Sequence, residues 1–418
     1  MRQRAARRLT TRAVWVADLA AIACDAYRIA PTDRARELAR LLEISLEQVS
    51  ERRRLPERPP TIHAWRVPEL AMGSMRWPVP PINTVQELSD FLGVGPSDLQ
   101  WLADPRSLEH SAGEAELRNY HYSWLPRESG VPRLIEAPKP WLKKLQRRVL
   151  RRIVTVIPPH EAAHGFRAGH SPLTHARRHV GAAVVLRFDL EDFFASVEAG
   201  RVYGIYRAAG YPEQVAHMLT ALCTNASARH VLATLPRPAD PRLLGKHHAV
   251  RTRLAHPHLP QGAPTSPALA NLAAYRLDCR LSALATSLGG TYSRYADDLA
   301  FSGGRRLLAS GQSVRVTVRQ IVLEEGFRLN ERKSQLMTQA GRQRLTGVVI
   351  NEHLNVPRAD YDRIKAVLHD AARQGPDAAN RDSREDFRAH LLGKVSWVES
   401  VNPARGAKLR RVFDLITW

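Results

Sequence analysis

The sequence predicts an α+β fold, in which the strands of an antiparallel sheet alternate with amphipathic helices. A β-hairpin is predicted at residues 292–302, because two short strand-like runs flank the adjacent Asp297 and Asp298. A buried strand is predicted at residues 184–189 from its largely apolar run. Leucines at helical spacing predict a buried helical stripe across residues 269–288.

Composition indicates a chain with a large core and a polyanionic partner. At 418 residues the chain is long enough for two or three domains, and its 44% hydrophobic content supports a substantial core. Lys and Arg number 62 against 41 Asp and Glu, so the formal net charge is +21. Such an excess predicts nucleic-acid binding that weakens as salt rises, although a generally basic, Arg-rich proteome would give the same excess.

Cysteine usage and hydropathy favour a cytoplasmic protein without a membrane segment. Cys24, Cys223 and Cys279 are too few and too scattered for a disulfide framework or a zinc cluster. The apolar run at residues 13–23 follows a basic stretch, as in a signal peptide, but Asp18 interrupts it. No run reaches the roughly 20 apolar residues that span a bilayer.

Residues 1–110 are predicted to form an N-terminal helical extension with a proline-rich linker. Its segments are helices at 13–29 and 32–54, a linker at 55–83, and short helices capped by Thr84 and Ser97.

A basic helix is predicted at residues 141–154, directly after a hairpin at residues 120–139. It carries many cations and no acids, which favours contact with a nucleic-acid backbone over an ordinary solvated face. The predicted nucleic-acid contacts on this helix are Lys143, Lys144, Arg147 and Arg148.

Three carboxylates are the candidate reactive centre. Asp189 stands where the buried strand ends, a poor position for a surface charge, whereas Asp297 and Asp298 share one turn. Adjacent carboxylates repel each other unless water or a cation offsets the charge, and a solvated turn is the alternative for the pair. Carboxylates from two strands can hold two Mg²⁺ ions about 4 Å apart, the arrangement that catalyses nucleotidyl transfer.

Three motifs resemble those of reverse transcriptases, most closely bacterial retron reverse transcriptases. They are Tyr295-Ala-Asp-Asp298, Phe188-Asp-Leu-Glu-Asp-Phe-Phe194 and the Leu-Pro-Gln-Gly-Ala-Pro-Thr-Ser-Pro run at residues 259–267, and the family's motifs follow in order over residues 118–402. The resemblance implies a right-hand polymerase, with fingers and palm at residues 111–350 and a helical thumb at 351–418. It also implies that Asp189, Asp297 and Asp298 are catalytic and bind two Mg²⁺ ions.

The same resemblance assigns residues to the incoming nucleotide. Arg133 and Lys139 match the fingers positions that clamp the triphosphate, for which cations are suited because they neutralise phosphate charge. Gln261 and Gly262 match the residues that contact the templating pair and the nucleotide. Lys333 is expected to protonate the leaving pyrophosphate, with an ordinary surface lysine as the alternative.

Phe194 occupies the position of the family's steric gate, where a large ring leaves no room for a ribose 2′-hydroxyl. Phe193 and Phe194 are adjacent, so alternation sends one to the core and one to the site.

Two segments stand where retron enzymes carry signature motifs. His175-Ala-Arg-Arg-His179 replaces an Asn-Ala-x-x-His signature, with His in place of Asn, and its two histidines also have metal-ligand spacing. Leu345-Thr346-Gly347 replaces Val-Thr-Gly in a segment similar to the primer grip, so Thr346 and Gly347 are expected to contact nucleic acid.

The resemblance implies an RNA-directed DNA polymerase that copies a structured cognate non-coding RNA into single-stranded DNA, in retron anti-phage defence. Its partners would be that RNA template and primer, the DNA product and dNTP substrates. An effector or toxin protein is a further partner that the resemblance implies. Two alternatives stay open. One is a defence-associated or orphan reverse transcriptase outside the retrons, and the other is an inactive RNA-binding scaffold.

Overall fold

The structure, a computed structural model, describes residues 71–111, 116–127 and 130–418, together with positions 18, 19, 21, 22, 37 and 40–45. The helices predicted at 13–29 and 32–54, and the linker up to residue 70, therefore lie outside the described residues except at those positions, whose backbone is helical.

The strands are β1 Tyr120–Leu125, β2 Arg133–Pro138, β3 Val184–Asp189, β4 Thr291–Tyr295, β5 Asp298–Gly303, β6 Gln335–Thr338, β7 Arg344–Leu345 and β8 Val348–Val349. The α-helices of the first half are α1 Val85–Leu92, α2 Pro96–Ala103, α3 Pro140–Arg152, α4 Pro172–Arg177, α5 Ala199–Ala208, α6 Glu213–Cys223, α7 Arg229–Ala233 and α8 Leu244–Leu254. Those of the second half are α9 Ser266–Ala273, α10 Tyr275–Ser287, α11 Arg305–Ala309, α12 Gly311–Glu324, α13 Arg358–Gln374, α14 Pro376–Ala379, α15 Phe387–Val401 and α16 Pro403–Phe413.

A four-stranded antiparallel sheet in the order β4-β5-β3-β6 is the centre of the molecule. Strand β3 is one of the two inner strands, and its side chains are buried on both faces of the sheet. A separate hydrophobic core covers each face. Val184, Leu186 and Phe188 belong to a first core with the helices that precede and follow the sheet. Val185 belongs to a second core, which it shares with Ala300 of β5. Burial on both faces explains why β3 has an apolar run instead of alternation.

The second core joins the back of the sheet to the C-terminal helices. Leu345 and Val348 of the β7–β8 hairpin lie in it, and so do buried residues of α13, α15 and α16. The second core is therefore built both from residues before position 350, in the β7–β8 hairpin, and from residues after it, in the C-terminal helices.

A two-stranded hairpin of β1 and β2 stands beside the central sheet, and α3 follows it directly. Helix α3 buries Leu142, Leu145, Gln146 and Val149 and turns its basic face outward. On α1, Thr84 Oγ1 accepts from the Glu87 N–H, as predicted for a cap, and Gly93 ends the helix in the left-handed region. Helix α2 begins one residue before the predicted Ser97 cap, with Gly95 as its N-cap.

In the part of the chain that the structure describes, no helix has both the length and the apolar character needed to cross a bilayer.

Candidate active site

Strand pairing brings the acidic residues together. Strand β3 pairs with β5 so that Asp189 is directly opposite Asp298, and the Leu190 N–H donates to the Asp297 carbonyl at 2.9 Å. The β4–β5 turn therefore sits against the end of β3. Two strands far apart in sequence thus deliver three carboxylates to one end of the two inner strands of the sheet, as the sequence predicted.

The turn that carries Asp297 is held in an uncommon conformation. Ala296 has φ of 57°, in the left-handed region that non-glycine residues rarely adopt. The loop before α4 presses on it, since a Cβ added to Gly165 would lie 2.5 Å from the Ala296 nitrogen. Gly165 is thus required for this close approach.

A fully buried arginine holds the same turn from the inside. The Arg294 guanidinium donates to both oxygens of Asp278, at 2.8 and 2.6 Å, and both side chains have no exposed area. It also donates to the Ala296 carbonyl at 3.1 Å and to the Asn271 side-chain oxygen at 2.9 Å. Helices α9 and α10 are thereby connected to the backbone one residue before Asp297.

The two histidines of the His-Ala-Arg-Arg-His segment brace the β4–β5 hairpin. The ring nitrogens of His179 lie 2.6 Å from Ser293 Oγ on β4 and 2.7 Å from Ser302 Oγ on β5. His175 Nδ1 lies 2.8 Å from the same Ser293 hydroxyl. Burial, followed by the nearby charge of Arg178, lowers the pKa of His179 to about 3. A neutral ring is consistent with a hydrogen-bonding role between two strands, and it accounts for the spacing without a metal.

A cavity of 540 Å³ opens in front of these carboxylates. The predicted site residues that line it are Asp189, Asp297, Lys333, Arg133, Phe194 and Gln261. Phe193 is buried in the first core and Phe194 is partly buried, with its ring 5.9 Å from that of Phe166. Both phenylalanines line the cavity, and Phe193 is the more deeply buried of the two.

Charges around the carboxylates are unequal. Burial, and then the proximity of Asp189 and Asp298, raises the pKa of Asp297 to about 6. Asp298 is paired with Arg187 at 2.6 Å, and Asp189 accepts from Lys333 Nζ at 2.9 Å. The described residues contain no preformed group of three or more His, Cys, Asp or Glu side chains arranged to hold a metal ion.

Asp189 and Asp297 nevertheless fit a divalent cation. Both line the cavity, and no basic side chain among the described residues forms an ion pair with Asp297. Carboxylate oxygens are the ligands that Mg²⁺ prefers, and a cation between them would offset their repulsion.

Several predicted residues lie away from this cavity. Lys139 lines a second cavity, where its Nζ donates to the Glu116 carbonyl. Gly262 has φ of 135°, and an added Cβ would lie 2.8 Å from the Glu136 carbonyl, so it allows approach of β2. Thr346 and Gly347 form the β7–β8 turn, where Thr346 Oγ1 donates to the Pro172 carbonyl. The cations Lys143, Lys144, Arg147 and Arg148 lie on the outer face of α3.

The cavity also has a basic wall that no sequence pattern indicated. Asp192 accepts from Arg127 at 3.0 Å and from Arg253 at 2.8 Å, and Lys246 pairs with Glu191 at 3.0 Å. Arg127, Arg253 and Lys246 all line the cavity. Arg253 and Lys246 belong to α8, a helix for which no sequence motif indicated a function.

The family model for reverse transcriptase (RNA-dependent DNA polymerase) matches residues 125–353. The chain belongs to the reverse transcriptase family. This membership and the mixed architecture of helices and antiparallel sheet confirm the predicted fold class. They also confirm the predicted enzyme class, an RNA-directed DNA polymerase.

Curated relatives of this reverse transcriptase are retron enzymes. Retron Mx65 reverse transcriptase of Myxococcus xanthus is 38% identical over 336 residues, which cover 80% of this chain and 72% of that protein. Retron Mx162 reverse transcriptase, also of Myxococcus xanthus, is 37% identical over 78% of this chain and 65% of that protein. The predicted resemblance to bacterial retron-type reverse transcriptases is thus confirmed.

Among solved structures, the foamy viral protease-reverse transcriptase dRH in complex with double-stranded DNA overlaps with a TM-score of 0.39 and 16% identity. The overlap covers 92% of this chain and 55% of that chain.

Proposed function

We propose that this reverse transcriptase copies a structured cognate RNA into single-stranded DNA, with Asp189, Asp297 and Asp298 as its catalytic carboxylates. The observation that carries the proposal is the active-site cavity, whose lining has an acidic side, Asp189 and Asp297, and a basic side, Arg127, Arg133, Lys246 and Arg253. An arrangement of this kind suits a nucleoside triphosphate, since its reacting phosphate and its leaving phosphates need different charges around them.

The acidic side is the proposed metal site. Asp189 and Asp297 would hold the ions, and Asp298 completes the acidic group in an orientation fixed by Arg187. A pair of Mg²⁺ ions would activate the attacking hydroxyl and neutralise the leaving pyrophosphate.

The basic side is the proposed triphosphate site. Arg133, Arg127, Arg253 and Lys246 line it, and guanidinium groups bind phosphate oxygens in pairs. Lys333 is 56% exposed and hydrogen-bonded to Asp189, so its ammonium group can reach the leaving phosphates and donate a proton to them.

Sugar selection is assigned to Phe194. We expect the Phe194→Ala variant to incorporate ribonucleotides with much less discrimination, because the ring that excludes a 2′-hydroxyl is removed. The measurement is the ratio of dNTP to rNTP incorporation on an RNA template. Phe166→Ala is the matched control, since Phe166 lines the same cavity and contacts Phe194. If the ratio is the same in wild type and Phe194→Ala, Phe194 is not the gate, and Phe193 is tested next.

A retron role predicts a defined nucleic acid. The Leu345-Thr346-Gly347 turn packs against α4, where Thr346 Oγ1 donates to the Pro172 carbonyl, so the two signature-like segments lie side by side. His175, His179 and Leu345 are buried, whereas Thr346 and Gly347 are partly exposed. We expect this turn to contribute to recognition of one RNA encoded beside the gene, and the DNA product to stay covalently joined to RNA. Nucleic acid purified with the protein from its native host would then be a discrete species that ribonuclease shortens without destroying. Heterogeneous DNA free of RNA would contradict the retron role and would favour a reverse transcriptase outside the retrons.

Anti-phage defence in the cytoplasm, with an effector or toxin protein as partner, is the proposed setting of this activity. An inactive RNA-binding scaffold is the second candidate. The ion pairs of Asp189 with Lys333 and of Asp298 with Arg187 favour it, since they occupy two of the three carboxylates.

A further inference from the structure

A second cavity, of 450 Å³, lies on the β1–β2 hairpin and shares no lining residue with the active-site cavity. Tyr120, Tyr122 and Trp124 line one wall, because they alternate along β1 and so point to one face. Tyr120 is 5% exposed and packs in the first core, so Tyr122 and Trp124 supply most of the accessible aromatic surface. The Trp124 Nε1–H donates to Thr234 Oγ1 at 3.3 Å. The Tyr122 hydroxyl donates to Glu109 Oε1 at 3.1 Å. Fixed aromatic rings of this kind suit the stacking of a flat ligand.

The rest of the lining is mainly basic. The ionisable residues around the aromatic wall are Arg118, Lys139, His121, His230 and the acidic Glu116. Guanidinium and ammonium groups bind phosphate, so the cavity combines a surface for a base with cations for a backbone. Its volume falls within the range of small-ligand pockets and is large enough for a single nucleotide.

Two exposed tryptophans continue this surface. Trp101 of α2 and Trp141 of α3 are 42% and 44% exposed, and their ring centroids are 5.9 Å apart. Asn119 connects them to the cavity, since its side chain donates to the Trp101 carbonyl and its own carbonyl accepts from the Lys139 N–H. Beyond Trp141 begins the basic outer face of α3.

We propose that this surface, formed by the second cavity and the Trp101–Trp141 pair, binds unpaired nucleotides of single-stranded RNA ahead of the active site. The inference rests on the proposed function, which supplies RNA as the template. The hairpin is common to both sites, because Arg133, Leu134 and Glu136 of β2 line the active-site cavity while β1 lines the second one. Template that is not yet copied therefore has a basic and aromatic route over the hairpin.

The test measures RNA binding and extension separately. The binding probe is a single-stranded RNA of about ten nucleotides that carries 2-aminopurine, whose fluorescence falls on stacking. We expect Trp124→Ala, and the Trp101→Ala/Trp141→Ala double variant, to bind it about tenfold more weakly than wild type. Trp124→Phe keeps a ring and should recover most of the affinity. Tyr275→Ala removes a ring of 47% exposure on α10, outside this surface, and should bind as wild type does.

Primer extension then shows whether the Trp124→Ala variant is impaired only on templates with a long unpaired overhang. On primed templates with a long unpaired 5′ overhang, the Trp124→Ala variant should need a higher template concentration for half-maximal rate. On templates with a one-nucleotide overhang, it should match wild type. Equal loss on both templates, or unchanged affinity for the RNA probe, would overturn the proposal. A wild type that extends neither template would refute the polymerase function, while the probe would still measure the RNA site.

Lys139→Gln separates two roles for that lysine. A weaker affinity for the probe, with a salt dependence reduced by about one ion, supports the RNA site. A raised KM for dNTP with unchanged RNA affinity would show that Lys139 binds the triphosphate of the incoming nucleotide and does not belong to the RNA-binding surface.

Discussion

Replacing Asp297 with asparagine is expected to abolish DNA synthesis while leaving the fold and RNA binding in place. Asp297 is at a turn, so the change removes a metal-binding charge without removing core packing. Stabilisation by a metal ion is worth several kcal/mol, so we expect the rate to fall by about a thousandfold or more. The measurement is primer extension on an RNA template with Mg²⁺ and dNTPs, and Asp298→Asn is expected to lose synthesis as well.

Asp382→Asn is the matched control, because Asp382 is also at a turn and its side chain is 74% exposed. It should extend the primer at the wild-type rate. Undiminished extension by Asp297→Asn would contradict the assignment of the central motif and favour a scaffold role. Equal binding of RNA by all the variants would show that a lost rate reflects chemistry and not unfolding.

The largest effect on stability is expected from Asp278→Ala. This change leaves the Arg294 guanidinium buried without its carboxylate, and breaking a buried ion pair in this way costs about 3–5 kcal/mol. Urea denaturation followed by circular dichroism measures the loss. The double variant Asp278→Ala/Arg294→Met removes both charges, so it should recover a large part of the stability.

Activity gives the second readout for this pair. The double variant no longer donates a hydrogen bond to the Ala296 carbonyl, so the turn before Asp297 loses an internal contact. We expect its extension rate to stay well below that of wild type even where it is fully folded. A typical mutation lowers the free energy of unfolding by about 1 kcal/mol. If Asp278→Ala lowers it by less than that, the role of the buried pair is contradicted.

Local patterns were sufficient for the elements that carry the chemistry. The apolar run of β3, the turn at Asp297 and the Thr84 cap depend on neighbouring residues, and each was predicted from them. The fold class followed from the same patterns. The start of α2 was less accurate, since Gly95 and not Ser97 is the N-cap and Pro96 takes the first helical position.

The basic wall of the active-site cavity could not be found in this way. Arg253 reaches Asp192 from a helix 61 residues further along the chain, and no local pattern encodes that contact. The buried pair did leave a signal. Asp278 lies on the same helical face as the buried Leu277 and Leu281, and an acid in that position requires a partner inside the core.

The second core has a consequence for how the molecule unfolds. Because Val185 and Ala300 of the sheet share it with α13, α15 and α16, the C-terminal helices and the β4–β5 hairpin protect each other from solvent. A chain ending at residue 350 would expose the back of its sheet as an apolar surface. We therefore expect the sheet and the C-terminal helices to unfold as one cooperative unit, so that local opening of either lowers the protection of backbone amides in both.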